Sequence, residues 1–238
     1  MGFIVKNTTK CGLLDVLCPY RCRGCGELGT ILCDCCKKDI TNEVLNHCPK
    51  CGRLIGDRCD ECRSLFKATF AMGYRDELVG KLAEEYKFFG VKRLGGCLAE
   101  ILDEFLPDLG GEVVVIPLPT IRAHIRARGV DHTFEVAKRL AKRRGWKVKK
   151  MLVRKKNTVQ VGANDLERRK QAKEAYRFCG EIQEGVTYVL FDDIWTTGSS
   201  MTEAGRILKK NGAKKMVAVV LATNRSEKRL RSIRSERR

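Results

Sequence analysis

Four Cys-x2-Cys pairs between residues 22 and 62 restrict what the N-terminal part of this 238-residue chain can fold into. The first two pairs are separated by seven residues, and the same arrangement recurs 26 residues later. A Cys-x2-Cys turn directs two thiolates at one point, and two such turns complete a tetrahedral four-sulfur zinc site. The repeat therefore predicts zinc bound by Cys22, Cys25, Cys33 and Cys36 and by Cys48, Cys51, Cys59 and Cys62.

The spacing selects Cys36 rather than Cys35 as a ligand, because only Cys36 lies 26 residues before Cys62. A disulfide framework is the alternative, but it needs an oxidising compartment, and adjacent Cys-x2-Cys pairs favour metal. The sequence leaves open whether both sites are filled and whether the pairs combine sequentially or are interleaved. Four thiolates would close each site to water, so the zinc is expected to be structural.

Positive charge is concentrated outside the cysteine-rich segment. The chain carries 47 Lys and Arg against 29 Asp and Glu, a net charge of +18, and residues 63–238 hold 17 of these excess charges. Such a balance favours an anionic partner. No apolar run approaches the roughly 18 residues that span a bilayer, and the N-terminus lacks the basic and apolar regions of a signal peptide. We therefore expect a cytoplasmic protein without membrane insertion.

Strand-like and helix-like segments alternate beyond the cysteines. The apolar patterns predict helices over residues 76–89, 94–105, 131–144, 166–176 and 199–210, and strands over 113–116, 147–153, 186–191 and 216–222. This alternation predicts an α/β fold with a mostly parallel sheet and helices on its faces. We divide the chain into a cysteine-rich module (1–66), an α/β domain (67–224) and a basic tail (225–238).

One predicted strand leads directly into a cluster of polar residues. Val189–Phe191 is followed by Asp192 and Asp193, then by the small hydroxyl and glycine residues of Thr196–Ser200, and then by a helix. Backbone N–H groups and hydroxyls at a helix N-terminus suit a phosphate dianion. Carboxylates accept hydrogen bonds from sugar hydroxyls. The segment therefore predicts a site for a ribose 5-phosphate.

This segment resembles, over its whole length, the phosphoribosyl-diphosphate signature of type I phosphoribosyltransferases. The resemblance implies that Asp192 and Asp193 hold the ribose 2′- and 3′-hydroxyls and that the following loop cradles the 5′-phosphate. The loop residues are Thr196, Thr197, Gly198, Ser199 and Ser200. Hypoxanthine-guanine phosphoribosyltransferases carry an Asp at the position of Thr196, so the hydroxyl found here argues against a purine-salvage enzyme of that kind.

Nearly the whole chain resembles the ComF family, which is associated with natural competence and joins a cysteine-rich N-terminus to a phosphoribosyltransferase domain. The matching elements are Val115–Pro119, Arg128-Gly129, Arg154 with Gln160-Val161-Gly162, Arg168 or Arg169, and Tyr86–Gly90. Two places depart from the family pattern. Val130-Asp131-His132 stand where the family usually has Phe-Asn-Gln, and Gln171 stands where it has Asn.

The resemblance implies a type I phosphoribosyltransferase-like parallel sheet with an N-terminal four-Cys zinc-binding module. It also implies an enzyme in which a nucleophile displaces diphosphate from C1 of the ribose, with Mg²⁺ on the leaving group. Arg128 and the backbone of Leu118, Pro119 and Thr120 would hold the diphosphate. Arg154, Lys155 and Lys156 either close over the diphosphate or form a solvated basic loop.

Two basic stretches predict a nucleic-acid partner. Lys138–Lys156 holds 11 Lys and Arg and no acid, and Arg225–Arg238 holds 7 basic and 2 acidic residues. Such runs neutralise nucleic-acid phosphates, and nothing in them reads bases, so we expect sequence-tolerant binding of single-stranded DNA. Trp146 and Trp195 either stack on unpaired bases or fill the sheet edge and the crevice wall.

Three functions are compatible with these features. The ComF resemblance implies a role in DNA uptake or processing together with phosphoribosyl diphosphate, with a competence helicase or DNA-loading protein as a possible partner. A metabolic phosphoribosyltransferase with an unidentified acceptor is the second. A single-stranded-DNA-binding adaptor with a relic catalytic site is the third.

Overall fold

The computed structural model describes residues 20–42, 45–46, 65–155 and 176–224. The helices in these ranges are α1 Asp34–Asn42, α2 Leu78–Phe88, α3 Leu94–Phe105, α4 Arg122–Arg128, α5 His132–Arg144 and α6 Ser199–Lys210. The strands are β1 Leu45–Asn46, β2 Ala68–Tyr74, β3 Val113–Pro117, β4 Lys147–Val148, β5 Leu152–Arg154, β6 Tyr176–Phe178, β7 Thr187–Trp195 and β8 Lys215–Thr223.

The main sheet has the strand order β1-β2-β8-β7-β3-β4. Strands β2, β8, β7, β3 and β4 are parallel, and β1 pairs antiparallel with β2 at the edge. Strands β5 and β6 form a separate antiparallel pair. These observations confirm the predicted α/β fold with a mostly parallel sheet.

Helices cover both faces of the sheet, which is why its central strands are apolar throughout. The five residues of β3 are all buried. Successive strand residues point to opposite faces, so Val113 and Val115 join a core with α2, α3 and α5, whereas Val114 and Ile116 join a core with α6. The site therefore rests on a sheet that is packed from both sides.

The cysteine segment packs on the same core as α2 and α3. Five of its buried residues belong to that core, namely Cys22, Ile31, Leu32, Cys36 and Ile40. Two ion pairs flank the contact, since Arg23 Nε lies 2.8 Å from a Glu85 carboxylate oxygen and Lys37 Nζ lies 2.9 Å from one of Glu100. Buried apolar contacts and two partly exposed ion pairs fix the segment against these two helices.

Several predicted boundaries differ from the observed ones. The strand predicted over 147–153 is wrong as a single element, because β4 pairs with β3 whereas β5 pairs with β6. Tyr176, predicted to end a helix, begins β6, and the rest of that helix lies outside the described residues. Strand β7 continues past the predicted end at Phe191 to Trp195, because β8 supplies hydrogen-bonding partners along that whole stretch.

Among the helices of the described ranges, none combines the length and the hydropathy that a bilayer-spanning segment requires.

Candidate functional site

A cleft of about 150 Å³ opens where β7 extends beyond the end of β3. Pro117, the last residue of β3, pairs with Phe191. Asp192 and Asp193 therefore lie beyond the end of β3, although β7 still pairs with β8 there. Leu118 remains attached, because its N–H donates to the Phe191 carbonyl at 2.9 Å. The carboxyl ends of two parallel strands thus deliver both predicted segments to one cleft.

Eight of the predicted site residues line this cleft. They are Leu118, Pro119, Thr120, Arg128, Arg154, Asp192, Asp193 and Ser200. The lining also contains residues that the sequence did not single out as site residues, among them Lys87, His124, His132, Thr133 and Tyr176. Thr196, Thr197, Gly198 and Ser199 are not among the lining residues, and Lys156 lies outside the described part of the chain.

The two carboxylates of β7 differ in their surroundings. Asp193 forms an ion pair with Lys87, which α2 brings in from the other side of the cleft. Asp192 has no such partner among the described residues and accepts a hydrogen bond from the Asp193 N–H at 2.9 Å. Burial, followed by the neighbouring Asp193 charge, raises the pKa of Asp192 well above its ordinary value of 3.8. Among the described residues, the cleft therefore presents one ion-paired carboxylate and one carboxyl group without an ion-pair partner.

The loop after β3 is fixed by a single carboxylate. The Thr120 hydroxyl donates to Asp131 Oδ1 at 2.9 Å, and the same oxygen caps α5 by accepting from the Phe134 N–H at 3.3 Å. Asp131 is one of the positions at which the chain departs from the ComF pattern. The departure thus retains an N-cap and gives the predicted diphosphate loop a hydrogen-bonding anchor.

Two histidines line the cleft. Burial, followed by the charge of Arg128, lowers the pKa of both His124 and His132 below the ordinary value of 6.5. His132 is buried and packs edge-on against Tyr86, with ring centroids 4.7 Å apart. Both imidazoles are therefore neutral at neutral pH. In the sequence, His132 belongs to a departure from the family pattern near the predicted diphosphate site, and the structure places it in the lining of the cleft.

The loop between β7 and α6 has the backbone shape of a tight turn. Gly198 has φ +70°, and a Cβ at this position would overlap the Trp195 indole. Thr197 and Ser199 share a hydrogen bond of 2.9 Å between their hydroxyls. Trp195 itself is buried and packs against Phe66, so it is not available for stacking on an unpaired base. This agrees with the alternative in which Trp195 fills the crevice wall.

Arg154 lies at the end of β5, on the opposite wall. Its guanidinium lies 5.7 Å from the Tyr176 ring centroid, and its Nε is buried without a hydrogen-bond partner within the described residues. A buried cationic donor without an acceptor is costly unless an anion completes its hydrogen bonding. Lys155 is exposed and faces an adjoining cleft rather than this one.

The comparison with known families decides what kind of domain holds this cleft. A family model described as "Phosphoribosyl transferase domain" matches residues 125–235. This part of the chain is similar to phosphoribosyltransferase domains. The matched region includes β7, the acidic pair and the loop before α6. No curated protein matches the chain significantly.

A four-cysteine cluster lies beside the phosphoribosyltransferase domain. The sulfur atoms of Cys22, Cys25, Cys33 and Cys36 all lie within 4.8 Å of one another, and those of Cys25 and Cys33 are 3.7 Å apart. Tetrahedral zinc with bonds of about 2.3 Å places its sulfurs about 3.8 Å apart, so the cluster fits that ion. Cys35 is exposed and outside the cluster, whereas Cys36 belongs to it. The other four predicted ligands lie outside the described residues.

Backbone N–H groups approach the sulfurs of the cluster. The N–H groups of Gly24 and Cys33 donate to Cys22 Sγ at 3.4 and 3.3 Å. Burial by itself raises the pKa of Cys22, but these hydrogen bonds outweigh it and lower that pKa to about 6. Burial and the neighbouring thiols raise the pKa of Cys36. A thiolate held next to protonated thiols is the starting point from which a divalent cation displaces the remaining protons.

Proposed function

We propose that this protein binds phosphoribosyl diphosphate in the cleft between β3 and β7 and transfers its phosphoribosyl group to a nucleophilic acceptor. The observation that carries the proposal is the meeting of the loop after β3 with the acidic pair of β7, which lies in the region similar to phosphoribosyltransferase domains. Sugar hydroxyls need acceptors and a diphosphate needs donors. The cleft offers both within one small volume.

In this proposal each wall of the cleft holds one part of the substrate. Asp192 and Asp193 accept hydrogen bonds from the ribose hydroxyls, and Lys87 orients Asp193 through its ion pair. The 5′-phosphate binds the loop Thr196–Ser200 at the N-terminus of α6. The diphosphate lies against Leu118–Thr120 and Arg128, with Arg154 supplying its unpaired Nε–H.

Transfer breaks the bond between C1 and the diphosphate oxygen and forms a bond between C1 and the acceptor. Positive charge develops on the ribose ring and negative charge on the leaving group, so the acidic pair and the cations on the opposite wall stabilise the two ends of the transition state. Mg²⁺ takes oxygen ligands, which the carboxylates and the diphosphate supply, and when bound it neutralises charge on the leaving group. The remaining contribution of the chain is to position the two reactants.

Calorimetric titration with phosphoribosyl diphosphate and Mg²⁺ tests this proposal. The wild-type protein should bind, and Asp192→Asn with Asp193→Asn should weaken binding at least tenfold, because hydrogen bonds to charged groups are worth about 1.5–3 kcal/mol each. Glu181→Gln removes an exposed carboxylate outside the cleft and is the matched control. Equal affinity of the double variant and the control would contradict the assigned role.

We further propose that the enzyme takes part in the handling of single-stranded DNA during uptake, as the ComF resemblance implies. The excess of positive charge supports an anionic partner, and a cytoplasmic DNA-loading protein or helicase would deliver the strand. Binding of a labelled single strand by the intact protein at low salt tests this part. No measurable binding would remove the DNA role and leave a metabolic phosphoribosyltransferase. Zinc bound by the cysteine module is proposed to be structural.

A further inference from the structure

The basic run Lys138–Lys156 divides into paired and unpaired cations. Arg143 and Arg144 both bind Asp103, each at 2.9 Å, and Arg144 also donates to the Pro107 carbonyl at 2.9 Å. Lys147 pairs with Glu112 at 2.7 Å. Arg143 and Arg144 tie α5 to α3, Lys147 ties β4 to the segment before β3, and these three cations share two carboxylates. The centre of the run is therefore a poor candidate for the surface that meets an anionic polymer.

A second and larger cleft, of about 670 Å³, opens on the other side of the loop after β3. It lies between α4 and the start of α5 on one side and the β5–β6 pair on the other. Leu118, Pro119, Thr120 and Arg154 line both clefts, so the two are neighbours across the predicted diphosphate loop. Five cations line it, namely Arg122, Lys150, Arg154, Lys155 and Arg177.

The cations of the second cleft lack carboxylate partners within the described residues. All of them except Arg154 are exposed. The Lys150 side chain is held over the Phe134 ring, with its Nζ 4.0 Å from the ring centroid. The single acid in the lining is Asp131, whose Oδ1 already accepts from Thr120 and from the Phe134 N–H. A concave surface with five positive charges and one occupied carboxylate concentrates anions.

We propose that the second cleft binds the sugar-phosphate backbone of single-stranded nucleic acid next to the diphosphate loop. The inference rests on the DNA-binding part of the proposed function and assigns it a location. The cations come from α4, from the segment before β5 and from the β5–β6 pair, so they are spread along the cleft and match several phosphates of a strand rather than one phosphate.

The composition of the cleft also explains why binding would be tolerant of sequence. Its aromatic side chain, Phe134, has one face covered by Lys150. The charged ends of Arg122, Lys150 and Arg177 suit phosphate oxygens, which every nucleotide carries. A flexible single strand can follow such a cleft, whereas a stiff duplex cannot enter it to the same depth.

A charge-matched pair of triple variants tests the location. The cleft variant carries Arg122→Gln, Lys150→Gln and Arg177→Gln, and the control carries Lys142→Gln, Arg143→Gln and Lys147→Gln, so both lose three positive charges. The anisotropy of a labelled oligo(dT) strand is measured from low to moderate salt. Each phosphate contact on a single strand contributes about 0.7 to the slope of log K against log salt. The cleft variant should lose about 2 from this slope and at least tenfold in affinity at low salt, and the control should stay close to wild type.

Equal losses in the two variants, or a larger loss in the control, would overturn the assignment, as would tighter binding of a matched duplex than of the single strand. The exposed single variant Arg177→Gln, expected to reduce the slope by about 0.7, provides the same answer if the triple variant does not fold. Titration of both triple variants with phosphoribosyl diphosphate and Mg²⁺ separates this inference from the enzymatic one. Both should bind it, and failure of the wild type to do so would contradict the enzymatic proposal alone.

Discussion

Asp192 is a residue at which stability and substrate binding oppose each other. Its raised pKa means that the folded protein holds this proton at a pH where the unfolded chain has released it. Stability is therefore lost as pH rises from 3.8 through the higher folded value, and the loss persists at neutral pH. In the proposed function, this half-buried carboxylate is kept at that cost because the ribose hydroxyls need an anionic acceptor.

We predict that Asp192→Asn raises the free energy of unfolding at pH 7 by an amount on the order of 1 kcal/mol and weakens binding of phosphoribosyl diphosphate. Urea unfolding at pH 7 and at pH 3.5 measures the first effect, which should shrink at the lower pH because the wild-type carboxyl is then largely protonated in both states. Glu181→Gln should change neither property. A destabilised Asp192→Asn protein at pH 7 would contradict this account.

Position 198 requires glycine because of its backbone angle and because of the neighbouring Trp195. A φ of +70° is strained for other residues, and an added Cβ would overlap the Trp195 indole. Gly198→Ala should therefore lower the free energy of unfolding by about 1–3 kcal/mol and weaken binding of the 5′-phosphate.

Gly96→Ala provides the control for this substitution. Gly96 lies within α3, and the nearest atom to an added Cβ is Arg139 Nη1 at 4.0 Å. In a helix, alanine is more favourable than glycine by about 0.8–1 kcal/mol, so this variant should be more stable than wild type. Thermal unfolding of the two variants should move in opposite directions, and a stabilised Gly198→Ala protein would show that the turn is not constrained as described.

At the level of single side chains, the sequence predicted the location of site residues that lie close together along the chain. The acidic pair and the loop before α6 share one continuous segment, so their common location could be predicted. Lys87 lies 106 residues from its partner Asp193, and only the fold brings the two together. The Tyr86–Gly90 element was noticed as a resemblance, but neither its helical pattern nor its composition indicates which residue it will contact.

Among the elements, the four-cysteine cluster gives a specific prediction. Protein purified without chelator should contain zinc, and Cys36→Ser should lose about one equivalent because three thiolates bind the ion less tightly than four. Cys35→Ser is the matched control, since Cys35 is exposed and lies outside the cluster. Elemental analysis of the three proteins measures the difference. Equal zinc content in all of them would contradict the assigned ligand set.

The elements that could be predicted are those with long apolar patterns. The helices over Leu94–Phe105 and Ser199–Lys210 begin and end where their sequence patterns do. Helix α4 was missed because it buries no residue and thus has no apolar face to detect. The division of residues 147–153 between β4 and β5 was missed because strand pairing depends on partners far away in the sequence.

On the scale of the whole molecule, the cysteine segment and the phosphoribosyltransferase domain are joined through α2. Gly24 lies so close to Cys36 Sγ that a Cβ would overlap it, and Leu78, the first residue of α2, lies at 3.1 Å from the same position. The last turn of α2 carries Lys87 to the carboxylate of Asp193. One helix therefore contacts the cysteine cluster at one end and the substrate cleft at the other.

This arrangement limits how the gene can be cut or recombined. A fragment beginning after the cysteine segment would encode α2 and α3 with their outer apolar surface uncovered, including the places now occupied by Ile31, Leu32 and Ile40. Exchange of the cysteine segment between relatives would have to carry matching changes in α2 and α3. The two parts of the chain are expected to be inherited together, as one cooperative unit rather than as interchangeable modules.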